Sequence, residues 1–185
     1  IFDYVFCWLG NTNLILSIIK LIEDKMNLEH DIREAGVQMI LLVEDSIRFY
    51  SSILPNLYNY ILEQSKNFSK EALNRHAATM RMRGRPKVVL ARTYEEAKKL
   101  YDKYSNNTLG VISDARFPLK SAAKAFGNEV EQEVKPEYGT DTFGREKCPD
   151  AGLQLFRYIR KNDSFVPLIL ESSESDNRAK AEAEG

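Results

Sequence analysis

The chain has 185 residues, 43% of them apolar and 29% charged, and a formal net charge of −1. That length can bury the core of one globular domain, and the balanced charge gives no global field that would favour nucleic acid or an anionic membrane. Its two cysteines, Cys7 and Cys148, lie far apart without CxxC spacing, which argues against a disulfide framework or a thiolate zinc site.

The first residue is Ile1 rather than Met, and no basic n-region precedes a cleavage site, so a signal peptide is not expected. With Glu184-Gly185 at the other end, the chain reads as a piece of a longer protein in a reducing, cytoplasmic setting. Tyr4–Trp8 (YVFCW) reads as a short strand and Gly10–Asn13 as a turn. A helix over Leu14–Met26 comes next, with Leu14, Ile15, Ile18, Ile19 and Ile22 as its apolar stripe. Its apolar core, Leu14–Ile22, is interrupted by Ser17 and Lys20 and is too short to span a bilayer. Asn27–Gly36 is polar and reads as a connector.

Met39–Val43 is a buried strand ending at Glu44-Asp45, and Ser46 is a plausible cap for a long helix. Ile47, Tyr50, Leu54, Leu57 and Ile61 recur at three- and four-residue steps, and the pattern continues to about Ala78. A continuous helix of that length would measure about 45 Å, more than a small α/β domain needs. Pro55 should kink or break it. The surplus is either a solvated extension or a coiled contact, in a homodimer or between domains. Arg81–Lys87 (RMRGRPK) is a basic turn without interleaved aromatics, so a solvated loop or an acidic partner suits it better than nucleic acid.

Val88–Ala91 is a third strand. Thr93-Tyr94-Glu95-Glu96 is a capping box opening a helix over Tyr94–Tyr104, with Ala97, Leu100, Tyr101 and Tyr104 inward. Leu109–Ser113 is the next buried strand and delivers Asp114 at its carboxyl end. Residues 119–149 are polar and weakly periodic, as expected of a surface insertion. A helix over Ala151–Arg160 and a strand over Val166–Leu170 come after it, the strand running into Glu171-Ser172-Ser173. Ser175-Asp176 opens a last helix.

From Met39 onward strands and helices alternate, which predicts a doubly wound parallel sheet with its ligand site at the carboxyl ends of the strands. If the strands of Met39 and Leu109 are neighbours, Glu44, Asp45 and Asp114 meet there. Three carboxylates that close together need a cation, and hard oxygen ligands with room for water suit Mg²⁺. A carboxylate beside Mg²⁺ can attack a phosphoryl group and hold it as an acyl phosphate. The hydroxyl of Ser172 could then bond one of its oxygens. In the plainer alternative Glu44-Asp45 only favours the helix dipole, while Asp114 and Ser172 are turn residues. His30 and His76 have no partners at metal-ligand spacing. Cys7 reads as a packed strand residue, and Cys148 as the thiol more open to oxidation.

LLVEDS (Leu41–Ser46), VISDARFP (Val111–Pro118), DAGLQLFRYIR (Asp150–Arg160) and VPLILESS (Val166–Ser173) together resemble the receiver domain of two-component response regulators. The resemblance implies a flavodoxin-like receiver of strand order 2-1-3-4-5, with Asp114 as phosphoacceptor and Ser172 as switch hydroxyl. Glu44, Asp45, Asp114 and the main-chain carbonyl of Arg116 would hold Mg²⁺. It also implies a histidine kinase or phosphotransfer protein as donor, and an output domain as partner. Two departures stand out: the insertion at about 119–149, and the lack of the family's fifth strand with its lysine. Asp3–Ile19 is similar to a receiver's fifth strand and helix, with Cys7 at the lysine position. Residues 1–36 therefore read as the end of a preceding, degenerate receiver, and 37–185 as a receiver truncated after its fourth strand. On this view Tyr4–Trp8 could complete the sheet. The tandem arrangement, with RMRGRPK and the long helix, resembles the amino-terminal receivers of phosphoenolpyruvate-synthase-like proteins, although the fragment itself is not expected to be an enzyme.

Two competing functions stay open. One is a pseudo-receiver that is not phosphorylated and serves as an interaction or dimerisation module. The other is a Mg²⁺ phosphatase with an aspartyl intermediate, which should carry a second carboxylate two residues past its nucleophile; this chain has Arg116 there.

Overall fold

The structure is a computed structural model that describes residues 4–120, 139–141 and 144–172. Most of the insertion, Ser173 and the helix expected from Ser175 lie outside the described residues.

In chain order the elements are α1 (Asn13–Ala35), β1 (Met39–Val43), α2 (Ile47–Lys70), α3 (Arg75–Arg83), β2 (Lys87–Ala91), α4 (Tyr94–Tyr104), a 3₁₀ turn (Ser105–Asn107), β3 (Thr108–Asp114), β4 (Phe117–Pro118), β5 (Lys147–Cys148), α5 (Ala151–Asn162) and β6 (Leu168–Glu171). Four strands form one sheet in the order β2-β1-β3-β6, and β4 and β5 form a separate pair. Gln38 O accepts from Lys87 N at one end of the β1–β2 pair, and Glu44 N donates to Ala91 O at the other, so the two strands run in the same direction. β3 and β6 are parallel, with Asp114 opposite Glu171. The fold is therefore α/β with a parallel sheet whose four strands, counted within the sheet alone, follow the doubly wound order 2-1-3-4.

The chain divides into two compact units. One comprises Ile1–Ile40, Ile47–Val89 and Asn106–Leu109; the other comprises Leu41–Ser46, Leu90–Ser105 and Gly110–Gly185.

In the first unit α1 packs on α2. The helix α1 runs through the expected connector because nothing between Met26 and Ala35 breaks it. Gly36 ends it at φ 61°, its N–H donating to the carbonyl of Ile32 and that of Val37 to the carbonyl of Asp31. Its inward face is Leu14, Ser17, Leu21, Asp24 and Leu28, which leaves Ile15, Ile19 and Ile22 exposed. The expected apolar stripe is thus rotated toward solvent, because the buried face is centred on a carboxylate. Asp24, wholly buried, accepts from Tyr58 Oη (3.0 Å), Arg85 Nη1 (3.1 Å) and Nη2 (2.7 Å), and from the Val88 backbone N–H (3.0 Å). The last bond satisfies an outward-facing amide of β2, where a further strand would otherwise pair. Lys87 Nζ lies 2.8 Å from Asp31. The basic turn therefore finds its acidic partner within its own chain, on α1.

Two further expectations change in this unit. The long helix ends at Lys70, and α3 starts only after Asn74, whose side chain accepts from Ala77 N. The break falls at 71–74, while Pro55 sits buried within α2. Tyr4–Trp8 forms no strand among the described residues and does not complete the sheet. Its backbone is taken up by α2 instead: Cys7 N donates to Ser51 Oγ (3.0 Å), Tyr50 Oη donates to Val5 O, and the Phe6 ring meets Tyr50 edge-on. Backbone groups satisfied by side chains in this way have no need of a ladder.

In the second unit Thr93 Oγ1 accepts from Glu96 N (3.2 Å), and the Glu96 carboxylate reaches back to Arg92 N (2.9 Å), one residue ahead of the cap. Leu155 and Ile159 of α5 and Ala97 and Tyr101 of α4 are buried. Gly152 opens α5 against the end of β3, where a Cβ would stand 2.4 Å from the carbonyl oxygen of Asp114. Only glycine lets the helix come this close.

Candidate functional site

β1 and β3 are neighbours, so the residues leaving their carboxyl ends converge. One carboxylate oxygen each of Glu44, Asp45 and Asp114 lie within 4.8 Å of one another. Each acid is held locally. Glu44 Oε1 accepts from Ser46 N (2.9 Å), and Asp114 Oδ1 accepts from Ala115 N (2.7 Å). The backbone of Arg116 also bonds Asp114. Asp45 is fully buried, and its Oδ1 has no hydrogen-bond partner among the described residues.

Burial in this spot disfavours charge. Desolvation, then the neighbouring Asp114, push the Glu44 carboxyl up to about 8. Desolvation likewise raises Asp45, against the pull of Lys147, and raises Asp114, against its backbone bonds and Lys147. Acids held above their ordinary range at the mouth of a parallel sheet are candidates for function.

The cationic side chain at this site was not foreseen from the sequence. Lys147 Nζ lies 2.7 Å from Asp45 Oδ2. It comes from the end of the insertion, where β5 pairs antiparallel with β4 in the register Phe117–Cys148 and Pro118–Lys147. Ahead of it, Asp141 and Arg145 make a buried ion pair, Nε to Oδ2 at 2.6 Å. The charge of Asp141 also acts on Asp45. Two-residue strands carry no periodicity, so no pattern in the sequence announces them.

Ser172 comes directly after Glu171, the register partner of Asp114, and is exposed. The three acids therefore come together as expected, and Ser172 leaves the strand end next to that of Asp114.

The residues fit a hard divalent cation. They offer clustered oxygen donors, one of them buried and without a hydrogen-bond partner, and no soft ligand. Such an ion, when bound, would supply positive charge to the acids and to phosphate oxygens.

No protein-family model matches the chain, and no curated protein matches it. Among solved structures, a response regulator receiver domain protein from Clostridium thermocellum matches at 17% identity and a TM-score of 0.41, covering 80% of this chain and 77% of that one. At that TM-score the likeness carries no argument; the sheet order is read from this chain alone. None of these comparisons supports a phosphoenolpyruvate-synthase-like relationship. No helix among the described residues is long and apolar enough to cross a membrane.

Proposed function

We propose that the chain is a receiver-type signalling module that accepts a phosphoryl group on Asp114 with Mg²⁺. The observation that carries this reading is the meeting of Glu44, Asp45 and Asp114 within 4.8 Å at the ends of neighbouring strands. Glu44, Asp45, Asp114 and the Arg116 carbonyl would hold the cation. An Asp114 carboxylate oxygen forms the new bond to phosphorus as the donor's bond breaks, P–N in a phosphohistidine or P–O in acetyl phosphate, and the donor atom leaves with the electron pair. No proton has to move. Ser172, beside the strand end that pairs with Asp114, is the candidate to bond a phosphoryl oxygen.

The natural donor would be a histidine kinase or phosphotransfer protein, in a cytoplasmic setting, and the output an attached or partner domain. Residues 1–36 would derive from a preceding receiver. Exposed Phe49, Tyr60 and Phe68 on α2 are where a homodimer contact would form. A parent of the phosphoenolpyruvate-synthase type stays a proposal from the resemblance alone.

One observation favours a second reading, the pseudo-receiver. Lys147 already neutralises Asp45, and Glu44 holds its proton near neutral pH, so the cluster balances part of its charge without a cation.

Incubation with acetyl phosphate and Mg²⁺ followed by intact mass separates the two. A single phosphoryl adduct, acetate being the leaving group, that disappears in Asp114→Asn is the expected result. No adduct at saturating Mg²⁺ would select the pseudo-receiver.

A further inference from the structure

We propose that Lys147, carried by the insertion, is the cationic partner of the phosphoryl group on Asp114. The proposal rests on the phosphoacceptor reading and adds a residue that no motif in the sequence assigns.

The ammonium of Lys147 stands 2.7 Å from Asp45 Oδ2, and Asp45 shares a 4.8 Å group with Asp114 and Glu44. Its side chain is 22% exposed and its partner's 0%, so this is no loose surface pair of the kind worth little.

The backbone that carries it is built for the purpose. β4 starts three residues after Asp114, and Pro118 is the register partner of Lys147. Lys147 N donates to Gly139 O at 3.2 Å, and Thr140 bridges Glu146 just before it. Neighbouring strand residues face opposite ways. Cys148 accordingly meets Gln154 of α5, its Sγ accepting from Nε2 at 3.6 Å, while Lys147 meets the acids. The strand that delivers the nucleophile and the arm that delivers the cation are thus tied together through β4.

The chemistry is set by charge. A phosphoryl group brings roughly two further negative charges at neutral pH. An ammonium fixed beside the acceptor before the group arrives stabilises that charge without reorganisation. In the free protein the same ammonium competes with a divalent cation for Asp45. Lys147 should therefore oppose Mg²⁺ binding to the empty site while promoting the acyl phosphate.

That opposition of signs is the test, made on the full chain. Mg²⁺ affinity is measured by titration calorimetry, and phosphoryl incorporation from acetyl phosphate by intact mass. Lys147→Met is expected to tighten Mg²⁺ binding severalfold and to slow incorporation by about tenfold or more. Lys147→Arg, which keeps the charge, should recover most of the incorporation. A purely structural lysine would weaken both in the Met variant. Overturning results are unchanged incorporation in Lys147→Met beside a labelled wild type, or parallel loss of both quantities. If the wild type takes no phosphoryl group while Mg²⁺ still tightens in Lys147→Met, the phosphoacceptor reading itself has failed, and this proposal fails with it.

Discussion

Two ionic clusters in this chain both gather carboxylates around cationic side chains and solve opposite problems. In the first unit, Asp24 is met by Arg85, Tyr58 and a backbone amide, and Asp31 by Lys87. Despite partial burial, the hydrogen bond from Lys87 holds Asp31 below its ordinary range. In the second unit, Glu44, Asp45 and Asp114 share one ammonium, and desolvation holds all three above theirs. The first cluster is complete within the chain and serves the fold, tying α1 to the edge of β2. The second is short of positive charge, and that deficit is what a cation and its phosphate would fill. The balance of charge, rather than the presence of acids, separates structure from function here.

The largest expected effect breaks the complete cluster. Asp24→Asn leaves buried Arg85 with only the half-exposed Glu23, at 3.9 Å, as counter-ion and should cost about 3–5 kcal/mol in urea unfolding. A cost below about 1 kcal/mol would show that the network is not what holds α1.

Next in size is Gly152→Ala. Its Cβ would press on the carbonyl oxygen of Asp114 at 2.4 Å, and overpacking of this kind costs about 1–3 kcal/mol. It should also displace the Asp114 peptide and lower Mg²⁺ affinity, read by calorimetry.

The incomplete cluster should make stability fall with pH. Glu44 binds its proton more tightly folded, about 8, than unfolded, near 4.5, so the folded state holds the extra proton between those values. Stability is then full below about pH 4.5 and declines through about pH 8, on the order of 2 kcal/mol of it between pH 6 and pH 8 for this group. Saturating Mg²⁺ should reverse the decline, since the cation replaces the proton. Thermal melts at pH 6 and pH 8, with and without Mg²⁺, read this directly.

The smallest effect carries the sharpest contrast. Asp114→Asn keeps the acceptor for Ala115 N and removes one like charge, so without Mg²⁺ at pH 8 it should stabilise by about 0.5–1 kcal/mol. The same exchange that damages one cluster relieves the other. Destabilisation at both positions would erase the distinction.

Much of the fold was legible in the sequence because it rests on local signals. Met39–Val43 and Leu109–Ser113 are short apolar runs, Thr93–Glu96 is a capping box, and the helix over Tyr94–Tyr104 has the predicted bounds. Glu44, Asp45 and Asp114 were legible because each lies at the end of such a run. What escaped depends on distant partners. Asp24 turns the polar side of α1 inward, and Arg85 lies 61 residues away. Lys147 reaches the acids through a β pair only two residues long. Tyr4–Trp8 has the composition of a strand, but hydroxyls of Tyr50 and Ser51 bind its backbone first. A contact made by single side chains across the chain leaves no period to read.

On the proposed function, Asp114 becomes an acyl phosphate. Treatment with acetyl phosphate and Mg²⁺, reduction with borohydride and peptide mapping tests it at the level of the residue. Homoserine in place of Asp114 and nowhere else is the expected product. Homoserine at another acid, or none under conditions where Mg²⁺ is bound, would contradict it.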